Sequence, residues 1–245
     1  MLFCHRSIGL FFEPYDTPVC LLSYDNGTTW SQPIEVTSER GRIFDAFYKN
    51  GRIYVLELCT DAEKSFEVRE DGVYYKIFVS DDNGKSFFKL STPKFDNYAH
   101  TYGKLLVRED DTVVFYSYNK DDQYNLTALV SKDMCVTWGD AFKVPVAKIC
   151  RNPQINYLNG YYIMHGRSEN MSNFVFYYSK DGLSWDEGTI VNEPIDGNPR
   201  CGCYYSNNLV VKGDDGIDRM LVQYSEVYED KTGKFTIMHA WVECE

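Results

Sequence analysis

One turn pattern occurs four times in this chain of 245 residues, at nearly equal intervals. It consists of Ser, then Asp two residues later, then a residue that is usually Gly, and finally a bulky aromatic residue. The four copies occupy residues 23–30, 80–87, 131–138 and 179–185, and their starts lie 57, 51 and 48 residues apart. A repeat of about fifty residues with one turn per copy is typical of a β-propeller. We therefore predict an all-β fold, a single β-propeller of about five four-stranded blades, with six blades as the alternative.

The residue types of this pattern suit a tight turn between two strands. Aspartate accepts hydrogen bonds from backbone N–H groups, glycine adopts a positive φ without strain, and the aromatic ring covers the hairpin. Two copies deviate, because Cys135 stands where glycine is usual and the fourth copy is one residue shorter. We expect the closing aromatic residue of every copy to be buried at the outer hairpin of its blade; these residues are Trp30, Phe87, Trp138 and Trp185.

Short runs rich in β-branched and aromatic residues between the turns predict the strands of successive blades. Residues 1–6 have the pattern of a second strand, so the first blade lacks its first strand and the last blade, over residues 204–242, lacks its fourth. Pairing of the two chain ends would complete the ring and cover exposed sheet edges. No linker-like stretch divides the chain. We therefore predict one domain over residues 1–245, closed by its N- and C-terminal strands.

Charge and composition restrict the partners. The formal net charge of −11 disfavours nucleic-acid binding, which needs a basic surface. No apolar run approaches the length of a membrane span, and the N-terminal residues lack the basic and apolar regions of a signal peptide. We therefore expect no membrane partner and favour a cytoplasmic location. The eight cysteines lack zinc-site spacing and no glycine-rich phosphate loop occurs, so we predict no metal and no cofactor. The sequence leaves the oligomeric state open.

The repeated turn resembles the Asp box, S-x-D-x-G-x-x-W, of sialidases and other sugar-processing propellers. A second resemblance lies in the segment Tyr204-Tyr205-Ser206-Asn207-Asn208-Leu209. It is similar to the last blade of sialidases, where a Tyr-Ser-Asp-Leu motif carries the nucleophilic tyrosine. The resemblance implies that Tyr205 is the nucleophile and that Arg167 is one of the arginines that hold the substrate carboxylate.

The chain departs from the sialidase pattern at positions that matter for catalysis. Asn152, in the segment 151–154, stands where the family has the glutamate that activates the tyrosine. An amide cannot accept the phenol proton, so we assign this role to Glu57. The acid/base aspartate of the family lies in a loop where this chain offers Asp16, with Glu13 as the alternative.

In a propeller, the loops that lead into first strands and the loops that join second to third strands converge on one face, opposite the repeated turns. We place five arginines on this face. In an acidic protein they predict a carboxylate or phosphate ligand, because a guanidinium group binds planar oxyanions through two parallel hydrogen bonds. The substrate-binding residues predicted there are Arg6, Arg42, Asp45, His100, Arg151, Arg167 and Arg200.

These features predict a glycoside hydrolase-like propeller that acts on or binds an acidic, sialic-type glycan in its axial funnel. Whether it is an exo-glycosidase stays open, because the catalytic set of the family is incomplete. One alternative is a glycan-binding propeller without catalysis. Another is a glycosidase that cleaves neutral sugars with two carboxylates, drawn from Asp45, Glu57, Asp96 and Glu226. A scaffold without a ligand is the third.

Overall fold

The structure of the protein is a computed structural model that describes residues 1–4, 6, 15–60, 74–95, 100–168, 173–192, 204–229 and 234–244. These residues form 18 β-strands connected by turns and short irregular segments. No helix long and apolar enough to cross a membrane is present in this part of the chain.

The strands form five sheets, in each of which neighbouring strands are also neighbours along the chain. The first sheet contains β1 (Leu2–Cys4), β2 (Val19–Leu21) and β3 (Ile34–Glu35). The second contains β4 (Arg40–Lys49), β5 (Arg52–Thr60), β6 (Tyr74–Ser80) and β7 (Phe88–Ser91). The third contains β8 (His100–Val107), β9 (Val113–Asn119), β10 (Asn125–Ser131) and β11 (Phe142–Pro145). The fourth contains β12 (Arg151–Leu158), β13 (Tyr161–Ser168), β14 (Asn173–Ser179) and β15 (Thr189–Asn192). The fifth contains β16 (Ser206–Lys212), β17 (Asp218–Glu229) and β18 (Lys234–Val242).

Tight hairpins explain this local connectivity. Between β4 and β5, Asn50 and Gly51 have φ angles of 53° and 82°, as a two-residue turn of type I′ requires. The predicted all-β, five-bladed β-propeller is confirmed. Three sheets have the four strands that were predicted, and the first and fifth have three among the described residues. Pairing of the chain ends, and the single domain over residues 1–245, stay predictions.

The chain forms two compact units, each with its own hydrophobic core. The first unit comprises Met1–Ala99, Asp111–Val113 and Leu129–Ala141, and the second comprises His100–Asp110, Val114–Ala128 and Phe142–Glu245. Cys20, Leu22, Val36, Val55, Cys59 and Phe78 form a buried cluster in the first unit. Leu158, Ile163, Phe174, Phe176, Tyr204, Met220 and Val222 form one in the second.

The four repeat turns, at residues 23–30, 80–87, 131–138 and 179–185, share one hydrogen-bond pattern. In each turn the serine hydroxyl accepts a backbone N–H at 2.7–2.8 Å, and the aspartate accepts another at 2.8–2.9 Å. Cys135 has a φ of 69°, the same as Gly182. The hydrogen bonds of Ser131 and Asp133 are the same as in the other copies. They hold Cys135 in the left-handed conformation that glycine adopts there.

The burial predicted for the closing aromatics is wrong for Trp30, which is 44% exposed, while the other three are half-buried. The reason lies in what each ring contacts. Trp138 Nε1 donates to Ser91 Oγ at 3.1 Å, and the Trp185 ring lies 6.2 Å from that of Tyr116, so both rings reach an earlier sheet. Trp30 Nε1 instead donates to Gly27 O of its own turn at 3.1 Å.

Candidate functional site

Three strand starts in the second unit have an unusual backbone. Tyr102 in β8, Asn152 in β12 and Tyr204 just before β16 have φ angles of 55°, 58° and 58°. Positive φ at residues other than glycine costs about 1–3 kcal/mol and is concentrated at functional sites, where the surroundings hold it. At Asn152 the register with β13 also shifts, and such bulges redirect side chains. These strand starts carry the candidate site.

Arg167, on β13, lies at the centre of the site. Its side chain is 1% exposed, and its Nε and Nη2 donate to Asn152 Oδ1 at 3.2 and 2.8 Å. The amide is uncharged, so it orients the guanidinium group without cancelling its charge. Among the residues described here, Arg167 makes no ion pair with a carboxylate. A buried cation of this kind favours an anionic partner, because burial of a charge without one is costly.

Tyr205 covers Arg167. The Arg167 Cζ atom lies 3.9 Å from the centroid of the Tyr205 ring, which is a cation–π contact. The backbone of Tyr205 is fixed by Ser225 on β17, since Tyr205 N donates to Ser225 Oγ at 3.1 Å and Ser225 N donates to Tyr205 O at 2.9 Å. Tyr205 is nevertheless 44% exposed. A positioned and accessible phenol thus lies directly on a buried cation.

Arg151, the first residue of β12, provides a second cation beside aromatic rings. Its Nη2 donates to Tyr102 Oη at 3.2 Å, and its Cζ lies 5.2 Å from the Tyr102 ring and 5.8 Å from the Tyr118 ring. Tyr118 belongs to β9. The structure therefore brings together two of the predicted arginines and the predicted nucleophile, and adds two tyrosines that the sequence did not indicate.

The pKa values of the two phenols shift in opposite directions, although the arginine charges lower both. Burial raises the pKa of Tyr102, but the hydrogen bond from Arg151 and the charges of Arg151 and Arg167 outweigh it, so its pKa lies below the ordinary value. For Tyr205, burial dominates over the charge of Arg167 and raises the pKa. A hydrogen bond between the two hydroxyls contributes to both shifts.

Two further rings of the second unit, those of Tyr204 and His165, are also fixed by their contacts. The Tyr204 ring stacks on Phe174 at 5.5 Å. His165 is fully buried, with Ser206 Oγ and Asn208 Nδ2 at 3.0 and 2.9 Å from its ring nitrogens. Burial lowers the pKa of His165 to about 3, so it is a neutral core residue. The predicted contact His100 is also buried, at the start of β8.

The predicted residues Arg6, Asp16, Arg42 and Asp45 belong to the first unit. Arg6 pairs with Asp16 at 3.4 Å and donates to Thr17 Oγ1 at 2.7 Å. Arg42 donates to Tyr15 Oη at 3.4 Å. Asp45 is half-buried and directly follows a register shift in β4.

Glu57, on β5 of the first unit, is fully buried. Its oxygens accept no N–H or O–H hydrogen bond from the described residues. A hydrogen bond from the Cys59 thiol lowers its pKa, but less than burial raises it. The nearby Lys76 forms its ion pair with Glu39. Burial, followed by the charge of Glu39, raises the pKa of Glu57 to about 8. Glu57 therefore holds a proton at neutral pH, and is better suited to donate one than to accept one.

Some predicted residues lie outside the described part of the chain: Arg200, and the alternatives Glu13 and Asp96. Tyr102 and Tyr118 were missed because neither belongs to a recognised motif. Aligning the first strands of successive blades would have drawn attention to Tyr102, which lies near its strand start as Asn152 does. In the described residues, no three His, Cys, Asp or Glu side chains cluster as metal ligands.

No protein-family profile matches this sequence, and no curated protein does. Solved structures do resemble it. A protein of unknown function from Dyadobacter fermentans superimposes with a TM-score of 0.70 and 15% identity, over 94% of this chain and 65% of that one. A GH43 β-1,3-galactosidase gives 0.63 and 15%, over 98% and 52%. The K499G mutant of NanB sialidase from Streptococcus pneumoniae gives 0.61 and 12%, over 93% and 36%.

The chain thus spans between about a third and two thirds of the length of these proteins. At such identities the similarity concerns the fold. At this level the predicted resemblance to sialidase propellers is confirmed, and glycoside hydrolase propellers with other substrates share it.

Proposed function

We propose that Arg151, Arg167 and Tyr205 bind the carboxylate of a sialic-type sugar in a glycoside hydrolase-like propeller. One observation carries this proposal: Arg167 is buried and oriented by a neutral amide, and no described carboxylate neutralises its charge. Guanidinium groups bind carboxylates by charge-assisted hydrogen bonds, which are strong where water is excluded.

The structural neighbours support a carbohydrate ligand, because a sialidase and a β-1,3-galactosidase share the fold. We take the four repeat turns to be Asp boxes, with a structural role. The proposal keeps the other predicted contacts with the sugar, which are Arg6, Arg42, Asp45, His100 and Arg200.

If the sugar is hydrolysed, Tyr205 is the proposed nucleophile. The high pKa of Glu57 supports proton donation to the leaving group in place of activating Tyr205. It also favours a second candidate, a carboxylate-pair glycosidase acting on neutral sugars, in which Glu57 is the acid. Asp16 stays a predicted acid/base group in the first scheme.

Calorimetric titration tests the binding proposal. We expect the α-methyl glycoside of N-acetylneuraminic acid to bind and its methyl ester, which lacks the negative charge, to bind at least tenfold more weakly. Arg151→Gln should weaken binding of the acid by a similar factor. The control is Arg108→Gln, in the same unit, whose guanidinium lies 4.0 Å from Asp110. Equal affinity for acid and ester would contradict the proposal.

Turnover separates the candidate functions. Hydrolysis of a chromogenic sialoside that disappears in Tyr205→Phe supports the sialidase-like enzyme. Binding without turnover supports a glycan-binding propeller. Cleavage of a chromogenic galactoside that persists in Tyr205→Phe and disappears in Glu57→Gln supports the carboxylate-pair enzyme, and rules out Tyr205 as nucleophile.

A further inference from the structure

His165, on β13, has a hydrogen-bond partner at both nitrogens of its buried ring. Ser206 Oγ lies 3.0 Å from Nδ1, and Asn208 Nδ2 lies 2.9 Å from Nε2. Both partners belong to β16, the strand that directly follows Tyr205. His165 thus joins the fourth sheet to the first strand of the fifth sheet, at the point where this strand begins.

A chain of hydrogen bonds determines which ring nitrogen of His165 carries the proton. Asn156 Oδ1 accepts the backbone N–H of Tyr157 at 2.9 Å, so the amide nitrogen of Asn156 donates to Asn208 Oδ1 at 3.2 Å. The amide nitrogen of Asn208 therefore faces His165 Nε2. Because an amide nitrogen only donates, Nε2 accepts, and the proton of the neutral ring lies on Nδ1. His165 thus donates to Ser206 Oγ.

His165 and Arg167 occupy alternate positions in a regular part of β13, so their side chains lie on the same face of the strand. Both side chains are buried. Arg167 contacts the ring of Tyr205, with its Cζ 3.9 Å from the ring centroid, while His165 holds the next residue, Ser206. Two consecutive residues of the chain are therefore attached to two side chains of one strand face.

The residue that precedes Tyr205 depends on the same ring. Tyr204 stacks on Phe174 with the ring centroids 5.5 Å apart, and the Phe174 ring lies edge-on to His165, also at 5.5 Å. Tyr204 has a φ of 58°, a conformation that persists only where the surrounding contacts hold it. His165 therefore belongs to the contacts that hold both sequence neighbours of Tyr205.

We infer that His165 is a positioning residue of the proposed site: its Nδ1–H group holds Ser206 and thereby places the Tyr205 ring over Arg167. Functional side chains need such support, because contacts of the surrounding residues fix their geometry. The effect of His165 on sugar binding rests on the proposed function, whereas the placement of Tyr205 does not.

Nuclear magnetic resonance of the full chain without ligand tests the placement. The ring nitrogen shifts of His165 should show a protonated Nδ1 and an unprotonated Nε2. The Nε–H resonance of Arg167 reports on the Tyr205 ring, because the ring current of a contacting aromatic face moves it upfield. Tyr205→Leu removes this ring current and gives the reference position of the arginine resonance.

Two substitutions separate the hydrogen bonds of the imidazole. An asparagine amide reaches the place of Nδ1 and can still donate to Ser206, whereas a glutamine amide reaches the place of Nε2 and keeps only the contact with Asn208. His165→Gln should therefore move the arginine resonance towards its position without the Tyr205 ring, and His165→Asn should leave it near the wild-type position. The control His239→Gln makes the same change at an exposed histidine of the second unit and should have no effect.

Calorimetric titration with the sialoside, on the same samples, measures the consequence for binding. His165→Gln should bind about fivefold more weakly than the wild type, which is the effect of one neutral hydrogen bond. Circular dichroism establishes that each variant is folded. If His165→Gln does not fold, Ser206→Ala, which removes the acceptor, takes its place in both measurements.

An unprotonated Nδ1 in the wild type, or an arginine resonance that stays in place in the folded variant, would overturn the inference whether or not the sialoside binds. A resonance that moves without loss of affinity would overturn the role of His165 in sugar binding. A resonance that moves in a protein that binds no sialoside would support the placement and reject only the proposed function.

Discussion

At position 152 an amide occupies the place where the sialidase pattern has glutamate, and this single difference changes what Arg167 can bind. A glutamate there would pair with the guanidinium group and neutralise it. Asn152 donates no charge and still accepts two hydrogen bonds from Arg167. The residue therefore preserves a buried positive charge, at a backbone position where φ is 58° and where asparagine and aspartate are among the residues best tolerated.

Asn152→Asp is therefore expected to weaken binding of the acidic sugar. The new carboxylate would form an ion pair with Arg167 and compete with the ligand, so affinity should fall about tenfold, or about 1.4 kcal/mol. Titration calorimetry measures this, with Asn159→Asp as the control that adds the same charge at another positive φ of the second unit. Unchanged affinity in Asn152→Asp would show that the charge of Arg167 does not bind the ligand.

Glu57 makes the stability of the protein depend on pH. Its pKa is about 8 in the fold, above the ordinary value, so the folded state keeps a proton that the unfolded state releases. The contribution of protonated Glu57 to the free energy of unfolding is complete below the ordinary carboxyl pKa. It is lost as the pH rises from there through 8. Glu57→Gln keeps the neutral form at every pH, so the Tm of this variant relative to wild type should be higher at pH 8.5 than at pH 5. Thermal denaturation at both pH values checks this, and an equal difference at both would contradict it.

At the level of the element, the capping hydrogen bonds of each repeat turn lie within the turn, whereas its aromatic residue can depend on contacts with another sheet. The hydrogen bonds of Ser131 and Asp133 lie within one turn and can form as soon as the hairpin does. The ring of Trp138, in contrast, needs Ser91 from an earlier sheet. The hydrogen bond of Trp30 instead goes to Gly27 of its own turn. We therefore expect equal motifs to contribute unequally to stability.

Trp138→Ala should destabilise the protein more than Trp30→Ala. A half-buried ring loses roughly half of the 1.5–3 kcal/mol of a fully buried side chain, which corresponds to a decrease in Tm of a few degrees for a chain of this size. Trp30, 44% exposed, is the matched comparison and should lower the Tm less. Similar decreases in the two variants would mean that Trp30 packs as the other copies do.

At the scale of the whole molecule, five sheets of consecutive strands provide the scaffold, and the candidate site lies where first strands of the second unit begin. The same fold supports a sialidase and a β-1,3-galactosidase. The fold by itself therefore does not determine a ligand, since proteins with different activities share it.

The predicted single domain requires cooperative unfolding. Scanning calorimetry should show one transition in which the calorimetric and van't Hoff enthalpies agree, although the chain forms two compact units. Two separable transitions would instead make these units independent domains. A sample with the sialoside bound should move the entire single transition upwards, because a ligand stabilises whatever unfolds with its site.

The sequence by itself determined the class of fold, because the signals for it are local. The spacing of the repeat turns and the Ser and Asp side chains that cap them act within a few residues, as the hydrogen bonds of residues 131–138 show. Arg167 and Tyr205 were also predicted as site residues from their resemblance to local motifs. The tertiary structure alone decided what these residues contact. The partner of Arg167, the hydrogen bond between Arg151 and Tyr102, the exposure of Trp30 and the raised pKa of Glu57 each depend on groups that are distant in sequence or on burial. No local pattern encodes which strands will bring such groups together.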